Sequence, residues 1–490
     1  MTFALQATPR RMALGLAAFA FLGLSARADV RLPAIFSSHM VLQQKQADKV
    51  WGWAAPGEEV SVTLDGLPTP NFRVAKTTKA GNDGKWTVSL DPMSAGGPYT
   101  MTIKGENTII LDDVLIGEVW ICSGQSNMEW GLGGSNDGDL ESQGANFPNI
   151  RLITVPKLGT QTPKDDFKGQ WSRCTPATAG GFSAVAYFFG RQLHQTLGVP
   201  VGLIHDSWGG SSCETWINKD VMKKDGKYDE LLEKWKGQET KDDNQQPGNL
   251  YNGQIKPIIG YGIKGAIWYQ GETNASRAYQ YRDLFPLMIK SWRDEWGIGD
   301  FSFYWVQLAD FMDESAEPQE SGWAELREAQ TMTMSKLPNT GQAVIIDIGE
   351  SIDIHPRNKV DVGKRLARWA LAKDYGVKIA CQSPTFKSME VKDGKVLVKF
   401  DNVNGGLRKF DSQDVKGFAV AGPDKKFHWA KGKLVGGDTV ELAVGDVKEP
   451  VAVRYAWANN PVCNLFDHQG LPATPFRTDD WPGVTINNKK

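Results

Sequence analysis

The chain has 490 residues, 41% of them hydrophobic and 23% charged, with a formal net charge of −2. Such a length predicts two or three domains with sizeable cores. The near-zero balance, without any long run of like charge, speaks against a nucleic-acid or anionic-membrane partner. The five cysteines show no CxxC or other metal-like spacing, so no zinc site and no cofactor are expected, and their odd number leaves at least one thiol unpaired within the chain.

In chain order the first element is a leader. Arg10-Arg11 precede the apolar stretch Met12–Leu24, and Ala26-Arg27-Ala28 forms a small-x-small cleavage site. This predicts a signal peptide over 1–28, a mature start at Asp29 and a periplasmic or secreted protein. The apolar stretch is short for a membrane helix, which leaves a retained anchor as the alternative. No other segment predicts a membrane span in the mature chain.

Residues 29–110 read as all β. VWGWAAPGEEVSVTLDG and KWTVSLDPMSAGGPYTMTIKG alternate apolar and polar residues between glycine- and proline-bearing turns, the pattern of a small antiparallel sandwich. Residues 111–382 alternate strands with helices. Buried strands are expected at EVWIC, VGLIHDSW, GAIWYQ, FSFYWVQLA and AVIIDIG. Helices are expected at SAVAYFFGRQLHQTLG, AYQYRDLFPLMIKSWRDEW, WAELREAQTMTMSKL and NKVDVGKRLARWALAKDYG. In the last of these Val362, Leu366, Trp369 and Ala370 share one face, with lysines and arginines opposite. Alternation of this kind argues for a largely parallel sheet covered by helices. Residues 383–490 return to short β segments such as KVLVKF, GFAVAG, TVELAV and AVRYAW, a second β region that would pack with the first.

Four of the expected parallel strands run into short polar or glycine-bearing stretches. These are SGQSN at 123–127, Gly209-Gly210-Ser211-Ser212, Gly271-Glu272-Thr273-Asn274, and Glu350 to Pro356. In a parallel sheet these ends share one edge, so the four segments converge on one crevice. Ser126, His355 and Asp353 then supply a nucleophile, a base and an acid, and glycine N–H groups and amide side chains supply oxyanion donors. Asp310 and Asp347 compete with Asp353 for the acid role. His205 and Asp206 read either as lesser candidates or as a polar pair at a strand end. Taken alone, Ser126 reads as a turn serine and His355 as the cap of the next helix; the weight lies in their combination.

SGQSNM, SWGGS, WYQGETN and DIHP, in this order, resemble the sialate O-acetylesterase family of SGNH-type serine esterases. LPAIFSSHMVLQQ, GGPYTMTIKG, SAVAYFFGRQLHQTLGVPVGLI and GLPATPFRTD extend the similarity over nearly the whole mature chain. The resemblance implies a flavodoxin-like, three-layer α/β SGNH hydrolase domain flanked by all-β, sandwich-like modules. It implies Ser126 as nucleophile, His355 as base, and the backbone N–H groups of Ser126 and Gly210 as oxyanion donors. The amide donor is Gln270 or Asn274, with preference for Gln270. Gln125 and Glu272 are expected at the sugar. One departure stands out, since the family's aspartate lies three residues before the histidine and that position is Ile352 here. The implied activity is removal of O-acetyl groups from sugars, sialic acid first and acetylated xylan fragments second. A non-catalytic carbohydrate-binding protein is the rival from another class. A lipase is disfavoured because the chain has no GxSxG elbow.

Overall fold

The computed structural model describes residues 1–4, 29–66, 72–238, 243–445 and 447–490. The charged and apolar parts of the expected leader, 10–28, lie outside the described residues. Among the described residues no helix is long and apolar enough to cross a membrane.

Seven strands open the structure: β1 (Val41–Gln43), β2 (Asp48–Trp53), β3 (Glu59–Asp65), β4 (Arg73–Lys79), β5 (Lys85–Leu90), β6 (Gly96–Lys104) and β7 (Thr108–Gly124). Their period-two patterning turns Val60, Val62 and Leu64 of β3 and Trp86, Val88 and Leu90 of β5 into one shared core. β2 pairs with β5, while β4, β3, β6 and β7 form the facing ladder. β7 is 17 residues long and belongs to two regions. Its first half runs antiparallel to β6, and its second half runs parallel to β1, β10 (Val201–Ser207) and β11 (Gly265–Tyr269). The expected boundary at 110/111 therefore falls inside one continuous strand.

The parallel sheet also contains β8 (Phe147–Thr154), β9 (Ser172–Cys174), β12 (Ser302–Val306) and β13 (Thr340–Ala343). Strand order is β13-β12-β11-β7-β10-β8-β9, with only β9 antiparallel to its neighbour. Leaving out the edge strands β8 and β9, the order β10-β7-β11-β12-β13 is the flavodoxin-like 2-1-3-4-5 arrangement. Alternating side chains sort the layers. Ile121, Ile204, Trp268, Phe303 and Trp305 face the layer of α2 (Ala278–Trp296) and α3 (Gly322–Lys336). Trp120, Leu203, Ile267 and Tyr304 face α1 (Ala184–Leu197) and α4 (Lys359–Lys373). α1 and α4 cross so closely that a Cβ on Gly363 would lie 2.6 Å from Phe188 Cβ. α1 starts where Ser183 Oγ accepts the Ala186 N–H at 3.2 Å and stops at Gly198, whose φ of 68° suits glycine.

One expectation needs correction. AVIIDIG is not a strand as a whole, because β13 ends at Ala343. Val344 and Ile346 leave the sheet and enter the core of the C-terminal β region instead. That region is a seven-stranded antiparallel sheet over Thr385–Arg477. Arg327 ties this region to the α/β layer. The fully buried Arg327 of α3 donates to the carbonyls of Ala458 (2.7 Å) and Asn459 (2.9 Å), as well as to those of Leu308 and Ala309. All five cysteines carry free thiols.

Candidate active site

β7, β10 and β11 end side by side, and the edge where their order reverses is where open α/β sheets place their ligands. β7 stops at Gly124, with φ of 143°, and a Cβ there would lie 2.1 Å from Tyr269 O. Only glycine fits this close approach to β11. The Gln125 N–H donates to Tyr269 O at 2.9 Å, and the chain turns into the short helical segment Ser126–Glu129. Ser126 thus stands on a tight strand-to-helix turn.

Ser126 Oγ lies 2.9 Å from His355 Nε2. The imidazole stacks on Trp130, with ring centroids 5.2 Å apart and planes 18° from parallel. Asp353 Oδ1 accepts the His355 backbone N–H at 2.9 Å and lies 3.3 Å from Nδ1. The His355 and Asp353 side chains are 28% and 35% exposed, so this contact is washed by solvent. The backbone N–H of His355, with the nearby imidazole and Arg357, keeps the Asp353 carboxyl below the usual carboxylate range. Ile352, at the position the resemblance would give to an acid, is 93% exposed.

The β10 end brings in Gly209-Gly210. A Cβ on Gly209 would lie 3.2 Å from Ser126 Cβ, which places the loop directly against the serine. The Gly209 N–H donates to Glu129 Oε2 at 2.7 Å, and Glu129 also holds Lys157. Gly209 O accepts from Asn244 (2.6 Å), and Gly210 O accepts from Thr273 (3.1 Å) and Gln245. The N–H groups of Ser126 and Gly210 find no acceptor among the described residues. Asn244 and Gln245 thereby bring a polar segment distant in sequence to the site.

The amides at the β11 end are already engaged. Gln270 is fully buried, and its Nε2 donates to Ser211 O (3.1 Å) and Asn274 Oδ1 (2.7 Å), while its Oε1 accepts from Tyr281 (2.9 Å). Asn274 Nδ2 donates to Glu214 Oε2 at 3.0 Å. Both amide protons of Gln270 are thus spent, and the Asn274 amide is directed at Glu214. Gln125 accepts from the Gly271 N–H at 3.3 Å through Oε1, and its Nε2 has no acceptor among the described residues. Glu272 is half-buried: Oε1 accepts from Asn127 at 2.6 Å, Oε2 is buried, and burial pushes the carboxyl up against the pull of its hydrogen bonds and of Lys359.

The rival acids are committed elsewhere. Asp347 forms a two-pronged pair with Arg365 at 2.6 and 2.7 Å, and Asp310 accepts the Gly349 N–H at 2.6 Å. His205 is held by Ser207 (2.5 Å), with burial pulling it down to about 4, and the buried Asp206 is pushed well up. Neither contacts Ser126 or His355. Among the described residues no cluster of three or more His, Cys, Asp or Glu side chains is placed to hold a metal ion.

Comparison with known proteins places this geometry in context. Residues 116–372 match the family model described as carbohydrate esterase, sialic acid-specific acetylesterase. The sialate O-acetylesterases of Homo sapiens and Pongo abelii are each 32% identical to the chain, covering 95% of it and 96% of their own length. The crystal structure of a carbohydrate acetylesterase from Xanthomonas citri superposes with a TM-score of 0.84 at 40% identity, over 92% of this chain and 100% of that one.

Proposed function

Because the chain belongs to the sialic acid-specific acetylesterase family of carbohydrate esterases, we propose that it removes O-acetyl groups from sugars, first among them O-acetylated sialic acid, with Ser126 as nucleophile and His355 as general base. The observation that carries the reading is the 2.9 Å contact between Ser126 Oγ and His355 Nε2, beside two backbone N–H groups that find no acceptor among the described residues.

A serine hydroxyl is a weak nucleophile until a base takes its proton. His355 Nε2 accepts that proton as Ser126 Oγ attacks the acetyl carbonyl. The oxyanion that forms is met by the N–H groups of Ser126 and Gly210, each such donor being worth about 3 kcal/mol of barrier. His355 then returns the proton to the departing sugar oxygen. Water, deprotonated by the same imidazole, releases acetate from the acetyl-serine. Gln125 Nε2 is the group that meets the sugar, and Asp353 steadies the imidazolium from the solvent side. A leader over 1–28 carries this chemistry out of the cytoplasm.

The test is acetate release by the mature protein from O-acetylated sialic acid and from acetylated xylo-oligosaccharides, with Ser126→Ala alongside. Ser126→Ala is expected to lose at least about 10³-fold while keeping its fold. Residual turnover above a few per cent of wild type removes Ser126 from the role. Preference for the xylan fragments keeps the mechanism and changes the substrate.

A further inference from the structure

We propose that Asn127 and Lys359 form the positioning pair that holds the His355 imidazole against Ser126, a task that Asp353 performs only weakly. The proposal rests on the Ser126–His355 reading above.

Asn127 follows Ser126 directly and is buried. Its Nδ2 donates to the carbonyl of Ile354, the residue before His355, at 3.0 Å, and to Glu272 Oε1 at 2.6 Å. Its Oδ1 accepts from Lys359 Nζ at 2.5 Å. Both amide protons and the amide oxygen are engaged, so the side chain cannot turn without breaking a buried bond. One amide thereby ties the turn that carries Ser126 to the loop that carries His355, and ties both to the end of β11 and the start of α4.

Lys359 locks the amide in place. It is fully buried, and its Nζ stands 5.4 Å from the Tyr269 ring centroid and 6.0 Å from that of Trp130, the indole on which His355 stacks. Burial draws its ammonium down to about 7, against the pull of Glu272, Glu350 and Asp353. Charged or neutral, the amine still donates to Asn127. A lysine kept in such a place has to be matched by partners, and Asn127 is its hydrogen-bond partner.

Three groups orient His355: the tether through Ile354, the face of Trp130 and the carboxylate of Asp353, which accepts the His355 backbone N–H at 2.9 Å and meets the ring only at 3.3 Å. The first starts from a buried amide and ends on a half-buried carbonyl, whereas the third is washed by solvent and 3.3 Å away. The tether holds the loop position, and a shift of about 1 Å at such a site costs on the order of 10²-fold in rate.

The experiment measures kcat and KM for 4-nitrophenyl acetate with the mature enzyme and with Asn127→Ala, Lys359→Met, Asp353→Asn, His355→Ala and Ser126→Ala, each with and without added imidazole, and thermal unfolding for each. Asn127→Ala and Lys359→Met are expected to lower kcat by about 10²-fold with KM within about threefold. Both are expected to exceed the loss in Asp353→Asn. Measured above the rate of imidazole without enzyme, free imidazole is expected to restore part of the activity in His355→Ala, where the ring's place is vacant, and none in Ser126→Ala. A folded Asn127→Ala with activity within about threefold of wild type overturns the proposal, as does a loss that falls on KM and leaves kcat unchanged. Should Asn127→Ala not fold, Lys359→Met, which keeps the aliphatic stem, carries the same test. Failure of both to fold overturns the proposal and assigns the pair to stability instead. Activity remaining in Ser126→Ala or His355→Ala without added imidazole sinks the parent reading, whereas loss in both beside an active Asn127→Ala sinks only the positioning role.

Discussion

Asp353→Asn separates a buried triad acid from an accessory carboxylate. Where the acid is buried against its histidine, the Asp-to-Asn change costs about 10⁴ in kcat. Here the two side chains are 28% and 35% exposed, and the N···O separation is 3.3 Å. Two unit charges at that distance attract by about 1.3 kcal/mol in bulk water and by about 2.5 kcal/mol at an effective dielectric near 40. The half-exposed setting selects the lower part of that range. The substituted side chain would also keep an acceptor for the His355 backbone N–H. The expected loss is therefore about 1.5 kcal/mol, close to tenfold in kcat/KM, with KM little changed. Steady-state hydrolysis of 4-nitrophenyl acetate at pH 7, beside His355→Ala, measures it. A loss above about 10³-fold, approaching that of His355→Ala, would refute the solvent-screening argument and make Asp353 a full triad member.

Two further expectations concern the frame. Asp113 is pushed up by burial but drawn down to about 2 by hydrogen bonds from Arg151, Arg173 and His39, so its contribution is complete above its unfolded value and is lost as pH falls toward 2. Asp113→Asn should cost about 2 kcal/mol near pH 7 and progressively less below about pH 4; a pH-independent difference in urea midpoints would contradict this. Gly124→Ala would drive a Cβ to 2.1 Å from Tyr269 O at a φ of 143°, so a destabilisation of about 3 kcal/mol or more and loss of activity are expected. A stable, active variant would show that the end of β11 moves freely.

The strand ends were legible because each carries its own signal. An apolar run breaks into glycine and small polar residues, and parallel pairing then brings those breaks to one edge whatever the intervening helices do. That reading brought the segments of Ser126 and of Gly209-Gly210 to one edge, while the roles given to Ser126, Gly210 and His355 came from the family resemblance. β13 was misjudged because Val344 and Ile346 are as apolar as strand residues. They are buried in the core of the C-terminal sheet, and a run of β-branched residues does not say which core will take it. Lys359 was hidden by its charge. Its position carried a signal all the same: 359, 362, 366 and 370 follow helical spacing, so the lysine lies on the buried face of α4, and the residue type alone placed it with the solvent face.

The side-chain amides of the site mark where such reading stops. Gln270, Asn274 and Gln125 are chemically interchangeable as amides, and all three lie within a few residues of a strand end. What separates them is the direction of each N–H, which is set by partners distant in sequence: Ser211 and Tyr281 for Gln270, Glu214 for Asn274, and the Gly271 N–H for Gln125. The same holds for the acid. Asp310, Asp347 and Asp353 have equal claims by position, yet Gly349 and Arg365 engage the first two and leave only Asp353 of the three beside the imidazole. The arrangement thus pairs a rigid, buried serine turn with an imidazole whose carboxylate is open to water. A base held more by packing and a backbone tether than by a buried charge should tolerate loss of that charge far better than loss of the tether. The ordering Asn127→Ala below Asp353→Asn in activity expresses this most directly.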